Sequence, residues 1–522
     1  MSAPAHAPVP HRGMVSFAVM AATMMQVLDT TIVNVALPHM QGSLSATSEQ
    51  ISWVLTSYIV AAAVMTPPTG WLAGRFGRKR VFLVSVAAFT TASVLCGLSR
   101  SLEQMVVFRL LQGVFGASLA PLAQSSMLDA YPREKHGSAM AMFGMGIMVG
   151  PILGPSLGGY LTETYDWRWV FYINVPVGIL TLVLLSIYLP DGARVRRPFD
   201  GFGFAMLSLG VGALQMLLDR GQGLDWFESP EIVFEAMLVC AGFYLFTAHA
   251  ATARGPVFID LSLLKDRNLV TGLTFIFVVG GILMSTMALV PPFLQGLLGY
   301  PVLETGNLLA PRGMGTMAGM IILGRLGNRG DPRVFLLLGL GLTALTLWIM
   351  TGFSLDVSTT TILWTGVLQG FGFGLIFVPL TLITFATLAP QHRTEAAGLY
   401  ALMRNLGGSI GISTVITLLT RGVQTRHAAL AEHISPYNPL LHTGIARSWN
   451  LQSGPALAQL NGEVTRQAAM LAYLDDFQAM LLVTLLAMPL VLLVKRPRRP
   501  EAPAAAAAAQ PAPAAPPAPV AE

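Results

Sequence analysis

Apolar runs of about twenty residues recur along almost the whole chain, separated by short polar or basic segments. A helix needs about 20 apolar residues to cross the hydrocarbon layer of a membrane, so the pattern predicts an all-α polytopic membrane protein with about fourteen transmembrane helices. These helices are predicted over residues 14–38, 51–73, 81–99, 102–127, 137–161, 168–189, 201–218, 231–252, 268–294, 304–325, 333–352, 361–388, 394–420 and 475–494.

Composition and charge support a membrane location. Charged residues make up 11% of the chain, whereas soluble proteins carry about a quarter. The 31 lysines and arginines outnumber the 26 acidic residues, and most lie in alternate loops, such as 75–80, 194–197 and 495–499. Because such a bias marks the cytoplasmic side, both termini are predicted to be cytoplasmic. The basic balance therefore reflects topology, and no nucleic-acid partner is expected.

The chain contains an internal repeat. The triplet LQG at residues 111–113 recurs at 368–370, and Pro121 and Pro379 follow at matching places. Two six-helix halves with a substrate path between them are a common design of secondary transporters. The predicted organisation is a cytoplasmic N-terminus (1–13), an N-terminal six-helix half (14–190), a linker with two extra transmembrane helices (191–267), a C-terminal six-helix half (268–495) with a long periplasmic loop (421–474), and a disordered Pro/Ala-rich cytoplasmic tail (496–522).

Two charged residues lie inside predicted helices: Asp29 in the first and Arg109 in the fourth. Charges at such depth are costly and usually mark ion or proton pathways. At 1.5 Å per residue, both lie roughly 10 to 15 Å from the same membrane surface, so they are expected to pair. Arginine favours the charged carboxylate and burial disfavours it, so solvent access could switch Asp29. We predict that the pair couples protons to transport; a structural ion pair is the alternative.

The fifth predicted helix carries regularly spaced glycines with prolines between them: Gly146, Gly150, Pro151, Gly154, Pro155, Gly158 and Gly159. Small residues at four-residue spacing let another helix approach closely. Each proline removes a helical hydrogen bond and favours a bend. The motif is therefore predicted to act as a hinge and seal, with simple helix packing as the plainer explanation.

The loop after the second helix reads GWLAGRFGRKR at residues 70–80. Together with the glycine motif, FRLLQG at 108–113, WRWVFYINVP at 167–176 and LDRG at 218–221, it resembles the major facilitator superfamily. The closest likeness is to the fourteen-helix drug:proton antiporters of the EmrB/QacA type, in particular the EmrB branch, over about residues 14–495. Its candidate conformational residues are Gly70, Arg75, Gly77 and Arg78. Where the family usually has an Asp that helps latch the outward-facing state, this chain has Gly74, so the latch must be weaker or built from other residues.

The resemblance implies a major facilitator fold in the bacterial inner membrane and export of amphipathic drug-like compounds in exchange for protons. For the EmrB branch it also implies a periplasmic adaptor and an outer-membrane channel. The loop 421–474 is a candidate docking site for the adaptor, and a plain solvated loop is the alternative. Candidates for the substrate path are Gln26, Asn34, Phe371, Phe377 and Arg404. A structural Arg404 and lipid-facing phenylalanines are equally compatible with the sequence.

Rival functions fit less well. A proton-coupled uptake symporter or a dedicated metabolite exporter of the same fold would share the helix count and Asp29. A membrane-embedded enzyme is disfavoured, because both G-x-S-x-G patterns (154–158 and 407–411) lie in apolar helices and lack the strand–turn–helix context of hydrolases. None of the four lysines is followed by the Ser or Thr of a P-loop. No cofactor and no metal site are predicted, since the histidines lie outside the helix centres.

Overall fold

The computed structural model describes residues 11–132, 135–191, 194, 198–253, 255, 257–259, 261–326, 331–389, 392–434 and 454–493. Within these ranges, all regular secondary structure is helical. Twelve helices in this part are long and apolar enough to cross a membrane, or thirteen if one bent pair forms a single span. The chain is therefore a multi-pass membrane protein.

The N-terminal half runs as six successive spans, three of which are broken into two helices. The second span bends by 58° at a break that contains Pro67 and Pro68, because proline removes backbone donors. The described helices are α1 (Arg12–Ser43), α2 (Ser48–Met65), α3 (Thr69–Phe76), α4 (Arg78–Leu98), α5 (Leu102–Gly116), α6 (Leu119–Ala130), α7 (His136–Thr164), α8 (Trp169–Tyr172) and α9 (Asn174–Tyr188).

The insert and the C-terminal half follow with unbroken helices for the most part. One of these, Val302–Leu326, carries too many polar residues to count among the twelve apolar spans, yet it is long enough to cross. With it and the bent pair, the described part agrees with the prediction of about fourteen spans. The helices are α10 (Gly201–Arg220), α11 (Pro230–Thr252), α12 (Arg267–Pro292), α13 (Val302–Leu326), α14 (Pro332–Met350), α15 (Thr359–Phe385), α16 (Arg393–Glu432) and α17 (Gly454–Ala487).

The same helix neighbours recur in the two halves. Helix α1 packs on α7 as α12 packs on α16, and α2 packs on α5 as α13 packs on α15. Glycines allow the close approach: a Cβ on Gly113 of α5 would lie 2.5 Å from the carbonyl oxygen of Tyr58 on α2. A Cβ on Gly370 of α15 would likewise clash with the carbonyl oxygen of Arg312 on α13.

The halves contact each other in two places. Helix α7 runs against α13 and α15, while α3 and α6 touch the start of α16. We call the second place the basic end, defined by Arg75, Arg78, Lys79, Arg80 and Arg393.

The structure differs from the sequence prediction over residues 421–474. Helix α16 continues to Glu432, and α17 already begins at Gly454, so both ends of the predicted loop are helical. The two extensions pair through Arg426 and Asp475 (2.9 Å) and through His427 and Asn461 (3.1 Å). Tertiary pairing of Ala-rich helix formers explains the difference. Residues 435–453 and the predicted tail 496–522 lie outside the described residues.

Candidate functional site

Asp29 and Arg109 form an ion pair inside the N-terminal half. Arg109 Nη1 donates to Asp29 Oδ2 at 2.7 Å, and both residues are 0% exposed. Asp29 lies on the buried face of α1 with Met25 and Ile32, and Arg109 lies on the buried face of α5. The structure thus brings together the two charged residues that the sequence singles out.

The second carboxylate oxygen of Asp29 is also satisfied. Gln112 Nε2 and Asn174 Nδ2 each donate to Asp29 Oδ1 at 2.8 Å. Asn174 Nδ2 also donates to Ser93 Oγ at 2.9 Å, and Ser93 in turn donates to the carbonyl oxygen of Phe171 at 2.9 Å. A buried charge is tolerated only when hydrogen bonds compensate the loss of water. Three spans, through α1, α5 and α9, therefore meet at one carboxylate, and Ser93 of α4 supports Asn174.

Arg109 has partners that do not depend on Asp29. Its Nε donates to the carbonyl oxygen of Val54 at 3.0 Å, and Nη1 donates to Gln112 Oε1 at 2.8 Å. Its guanidinium carbon lies 4.4 Å from the centre of the Tyr58 ring, a favourable cation–π distance. Loss of the bond to Asp29 would therefore not leave Arg109 without hydrogen-bond partners. In the described part of the chain, no three metal-binding side chains come together.

Sequence reasoning missed most members of this cluster. Gln112 stands three residues after Arg109, and this spacing places both on one helix face, so it could have been found. Asn174 is the first residue of an apolar helix, and a single amide side chain in such a helix could have marked it as a candidate. Nothing in the sequence marks Ser93 or Tyr58 as neighbours of Asp29.

The glycine motif of α7 faces the part of α1 that carries Asp29. Thr31 Oγ1 donates to the carbonyl oxygen of Gly150 at 3.3 Å. Gly159 lies off this contact, because a Cβ there would meet no atom within 4 Å. Helix α7 is unbroken across Pro151 and Pro155. An added Cβ would press on α1 at four glycines: Gly146 against Met20, Gly150 against Val27, Gly154 against Thr31, and Gly158 against Ile32.

A second face of α7 contacts the other half. A Cβ on Gly324 of α13 would lie 3.1 Å from Ala141 Cβ, and Gly313 of α13 packs on Ile152. On α7 itself, a Cβ on Gly144 would lie 2.6 Å from Met320 Sδ. Helix α7 is therefore packed between α1 and α13.

At the basic end, one acid joins the two halves. Asp129 of α6 accepts from Arg78 at 2.5 Å and from Arg393 of α16 at 2.8 Å. Gly77 adopts φ +94°, which favours glycine, and a Cβ on Gly70 would lie 2.7 Å from Glu395 Cα. We call Arg78, Asp129 and Arg393 the latch.

Gly74 carries no acid at this end of the molecule, and the carboxylate that joins the halves is that of Asp129, which the sequence motifs do not mark. Arg75, in contrast, is exposed.

The five candidates for the substrate path lie on three helices, α1, α15 and α16, and no hydrogen bond joins them within the described residues. Gln26 is half-buried with Oε1 unpartnered, whereas Asn34 is exposed and donates to the Thr30 carbonyl oxygen at 3.1 Å. Phe371, Phe377 and Arg404 are half-buried.

Comparison with known proteins identifies the family to which this architecture belongs. The family model for the Major Facilitator Superfamily matches residues 19–412. The chain is 37% identical to the fatty acid resistance protein FarB of Neisseria gonorrhoeae, over 91% of this chain and 94% of FarB. It is 38% identical to the multidrug export protein EmrB of Escherichia coli K12, over 81% of this chain and 83% of EmrB.

Solved structures agree on the fold. The human organic anion transporter MFSD10 superimposes with a TM-score of 0.58 at 15% identity, over 91% of this chain and 100% of that one. The proton:xylose symporter XylE gives a TM-score of 0.58 at 12% identity, over 91% of this chain and 95% of that one. The helix pattern, the motifs and these matches together assign the chain to the Major Facilitator Superfamily, on its EmrB branch, as the sequence motifs predicted.

Proposed function

We propose that this protein is a proton-coupled exporter of amphipathic organic compounds that works by alternating access of its two halves. The observation that carries the proposal is the fully buried carboxylate of Asp29, which is held by Arg109, Gln112 and Asn174. An ionisable group inside a membrane bundle usually serves ion or proton movement.

Orientation follows from charge. Basic loops lie on the cytoplasmic side of membranes, so the basic end faces the cytoplasm of a bacterial inner membrane and both termini lie there. The latch of Arg78, Asp129 and Arg393 then closes the cytoplasmic entrance in the described state. Opening that entrance requires the Asp129–Arg393 ion pair, which joins the halves, to separate.

Helix packing connects the proton site to the movement. Asp29 lies on α1 between Val27 and Thr31, which contact Gly150 and Gly154 of α7. Helix α7 in turn packs on α13 of the other half. When Asp29 takes a proton, the ionic bond to Arg109 is lost, and Arg109 keeps the Val54 carbonyl oxygen and Gln112 Oε1. A shift of α1 is thereby passed to the interface between the halves.

The substrates are proposed to be varied amphipathic compounds, because the relatives are named for multidrug export and for fatty acid resistance. An uptake symporter of the same fold is the alternative. Direction of transport separates the two, since an exporter moves substrate against the inward flow of protons.

The test uses purified protein in proteoliposomes with an imposed pH gradient and ethidium as the probe. Wild type is compared with Asp29→Asn, which keeps the size and removes the charge. Asp166→Asn is the matched control, because Asp166 lies in an exposed loop. We expect gradient-driven ethidium transport in wild type and Asp166→Asn, and a loss of at least tenfold in Asp29→Asn.

Equal transport by Asp29→Asn and wild type would show that Asp29 is structural. Movement of ethidium in the same direction as protons would instead establish the symporter.

The extended helices α16 and α17 are a proposed adaptor-docking element, which would link the exporter to an outer-membrane channel. Forty residues of α16 measure roughly 60 Å at 1.5 Å per residue, about twice the hydrocarbon thickness. The paired ends therefore project from the membrane opposite the basic end. Deleting residues 430–460 should abolish adaptor pull-down while the protein still inserts and transports ethidium in proteoliposomes. Retained pull-down would refute the docking role.

A further inference from the structure

A second arginine lies buried in the C-terminal half without an acidic partner. Arg312 of α13 is 9% exposed, and its Nη2 has no hydrogen-bond partner in the described part of the chain. Among the described residues it forms no ion pair; its guanidinium carbon lies 5.6 Å from the centre of the Phe373 ring. A buried charge without a counter-charge is costly. An anion that bound there would remove this cost.

A second donor lies beside it. Gln369 of α15 is 2% exposed, and its Nε2 also lacks a hydrogen-bond partner among the residues that the structure describes. Gln369 is the repeat counterpart of Gln112, whose Nε2 donates to Asp29. Arg109 has no counterpart on α15, where Gly366 stands instead, and Arg312 Cβ lies 3.8 Å from a Cβ built on Gly366. The arginine therefore reaches the equivalent place from the neighbouring helix.

The C-terminal half thus repeats the donors of the proton site and omits its carboxylate. Helix α12, the counterpart of α1, contains no Asp or Glu. Both donor residues line a cavity of about 20 Å³ whose other walls include Val290, Phe293, Leu294 and Phe353. That volume accommodates about one water-sized group. Asp476 of α17, a buried acid, does not line the cavity.

We infer that Arg312 and Gln369 form a binding site for a single anionic group, either the carboxylate head of an amphipathic substrate or a small inorganic anion. The guanidinium and amide supply two donors, as they do for Asp29. The cavity has room only for the anionic group, so the tail of a carboxylate substrate lies outside it. Charge-assisted hydrogen bonds of this kind are the strong ones. If the anion is the carboxylate of a substrate, the inference rests on the proposed export function and identifies its substrate class. Binding of an anion to Arg312 and Gln369 does not by itself depend on that function.

Equilibrium binding to the purified full-length protein tests the site. The probes are octanoate, octanol as the uncharged molecule with the same tail, and chloride measured against gluconate. We expect octanoate or chloride to bind wild type, and Arg312→Gln to bind that anion at least tenfold more weakly with octanol unchanged. Arg312→Lys should recover part of the binding, and Gln369→Leu should lose several-fold. Arg168→Gln, which removes a half-exposed arginine, is the matched control.

The outcomes are distinct. Octanoate binding that depends on Arg312 identifies a carboxylate substrate site, and chloride binding that depends on Arg312 identifies an inorganic anion site. The inference would be overturned if wild type bound neither anion. It would also be overturned if Arg312→Gln and Gln369→Leu each bound the anion as tightly as wild type. If Arg312→Gln does not fold, the binding measured for Arg312→Lys and Gln369→Leu still tests the site. Gradient-driven ethidium transport by wild type and Arg168→Gln reports the proposed export separately, so that failure of the anion site and failure of export are distinguishable.

Discussion

Asn174 illustrates, at the scale of single residues, how a neutral side chain supports a buried charge. It donates to Asp29 Oδ1 and to Ser93 Oγ. Replacing it with leucine removes one of the two donors to Asp29 Oδ1, and a hydrogen bond to a charged group contributes about 1.5 to 3 kcal/mol. We expect Asn174→Leu to lower the free energy of unfolding in detergent by that amount. Asn34→Leu is the control, since exposed Asn34 bonds only within its own helix; equal losses in the two variants would contradict the argument.

Asp200 provides a pH-dependent case outside the membrane. Burial acts to raise its pKa, but the backbone N–H groups of Gly203 and Phe258 and the neighbouring His249 outweigh it, so the pKa lies below its usual value. The charged form therefore stabilises the fold above the ordinary pKa of about 3.9. That contribution is lost as pH falls through the lowered value.

We accordingly expect the melting temperature of Asp200→Ala to lie below that of wild type by a constant interval at neutral and mildly acidic pH. The interval should shrink toward zero once the pH falls below the ordinary pKa of about 3.9. Asp191→Ala, at an exposed acid nearby, should show no such interval. Melting curves between neutral and acidic pH test this; an interval that persists in strong acid would rule out the titration of Asp200 as its cause.

Residue-scale prediction from the sequence had a clear limit. Charges inside apolar helices are conspicuous, so Asp29 and Arg109 could be paired from their depths alone. Depth does not specify which face a residue occupies or which helix lies next to it. For that reason Ser93, Tyr58 and Asp129 emerged only from the three-dimensional arrangement.

At the scale of elements, the glycines of α7 offer a matched comparison. A Cβ on Gly154 would lie 2.7 Å from Thr31 Cβ, whereas one on Gly159 would meet nothing within 4 Å. Overpacking costs about 1 to 3 kcal/mol, and alanine in place of glycine gains up to about 1 kcal/mol of helix propensity. We expect Gly154→Ala to destabilise the protein and impair transport, and Gly159→Ala to be neutral or slightly stabilising. Thermal unfolding and ethidium transport measure both; equal behaviour would refute a specific α1–α7 contact.

Helix positions were predictable because apolar length signals a span, and the observed helices follow the predicted ranges closely. The exceptions have physical reasons. The ends of α16 and α17 are polar, so hydropathy alone assigns them to a loop, and their pairing makes them helical. The contacts of the insert were also not predictable. Helix α10 is hydrogen-bonded to both halves, through Asp219 to Thr56 and through Gln215 to Ser409 at 2.9 Å. Such side-chain links leave no periodic signal in the sequence.

At the scale of the whole molecule, closure depends on few contacts at the basic end. Sequence motifs could predict that a latch exists and that Gly74 cannot supply its acid. They could not show that Asp129 takes this place between arginines of both halves, because the motif residues and Arg393 are more than three hundred residues apart. Arg78 and Asp129 are partly exposed, at 21% and 25%, whereas Arg393 is 7% exposed. Because solvent reaches Asp129, both of its ion pairs are screened, and each contributes on the order of 1 kcal/mol.

A contribution of that size is sufficient to bias two conformations that are close in free energy. Asp129→Asn removes both ion pairs and should shift the equilibrium toward opening at the basic end about fivefold, as a loss of about 1 kcal/mol implies. A cysteine introduced as Ala396→Cys, at a fully buried position on α16, reports the opening through its rate of maleimide labelling in a Cys240→Ser background. Arg75→Gln, at an exposed arginine of the same loop, should leave that rate unchanged. If Asp129→Asn labels no faster than the Arg75→Gln control, closure rests on the helix contacts around Gly70 and Glu395 instead of on the ion pairs.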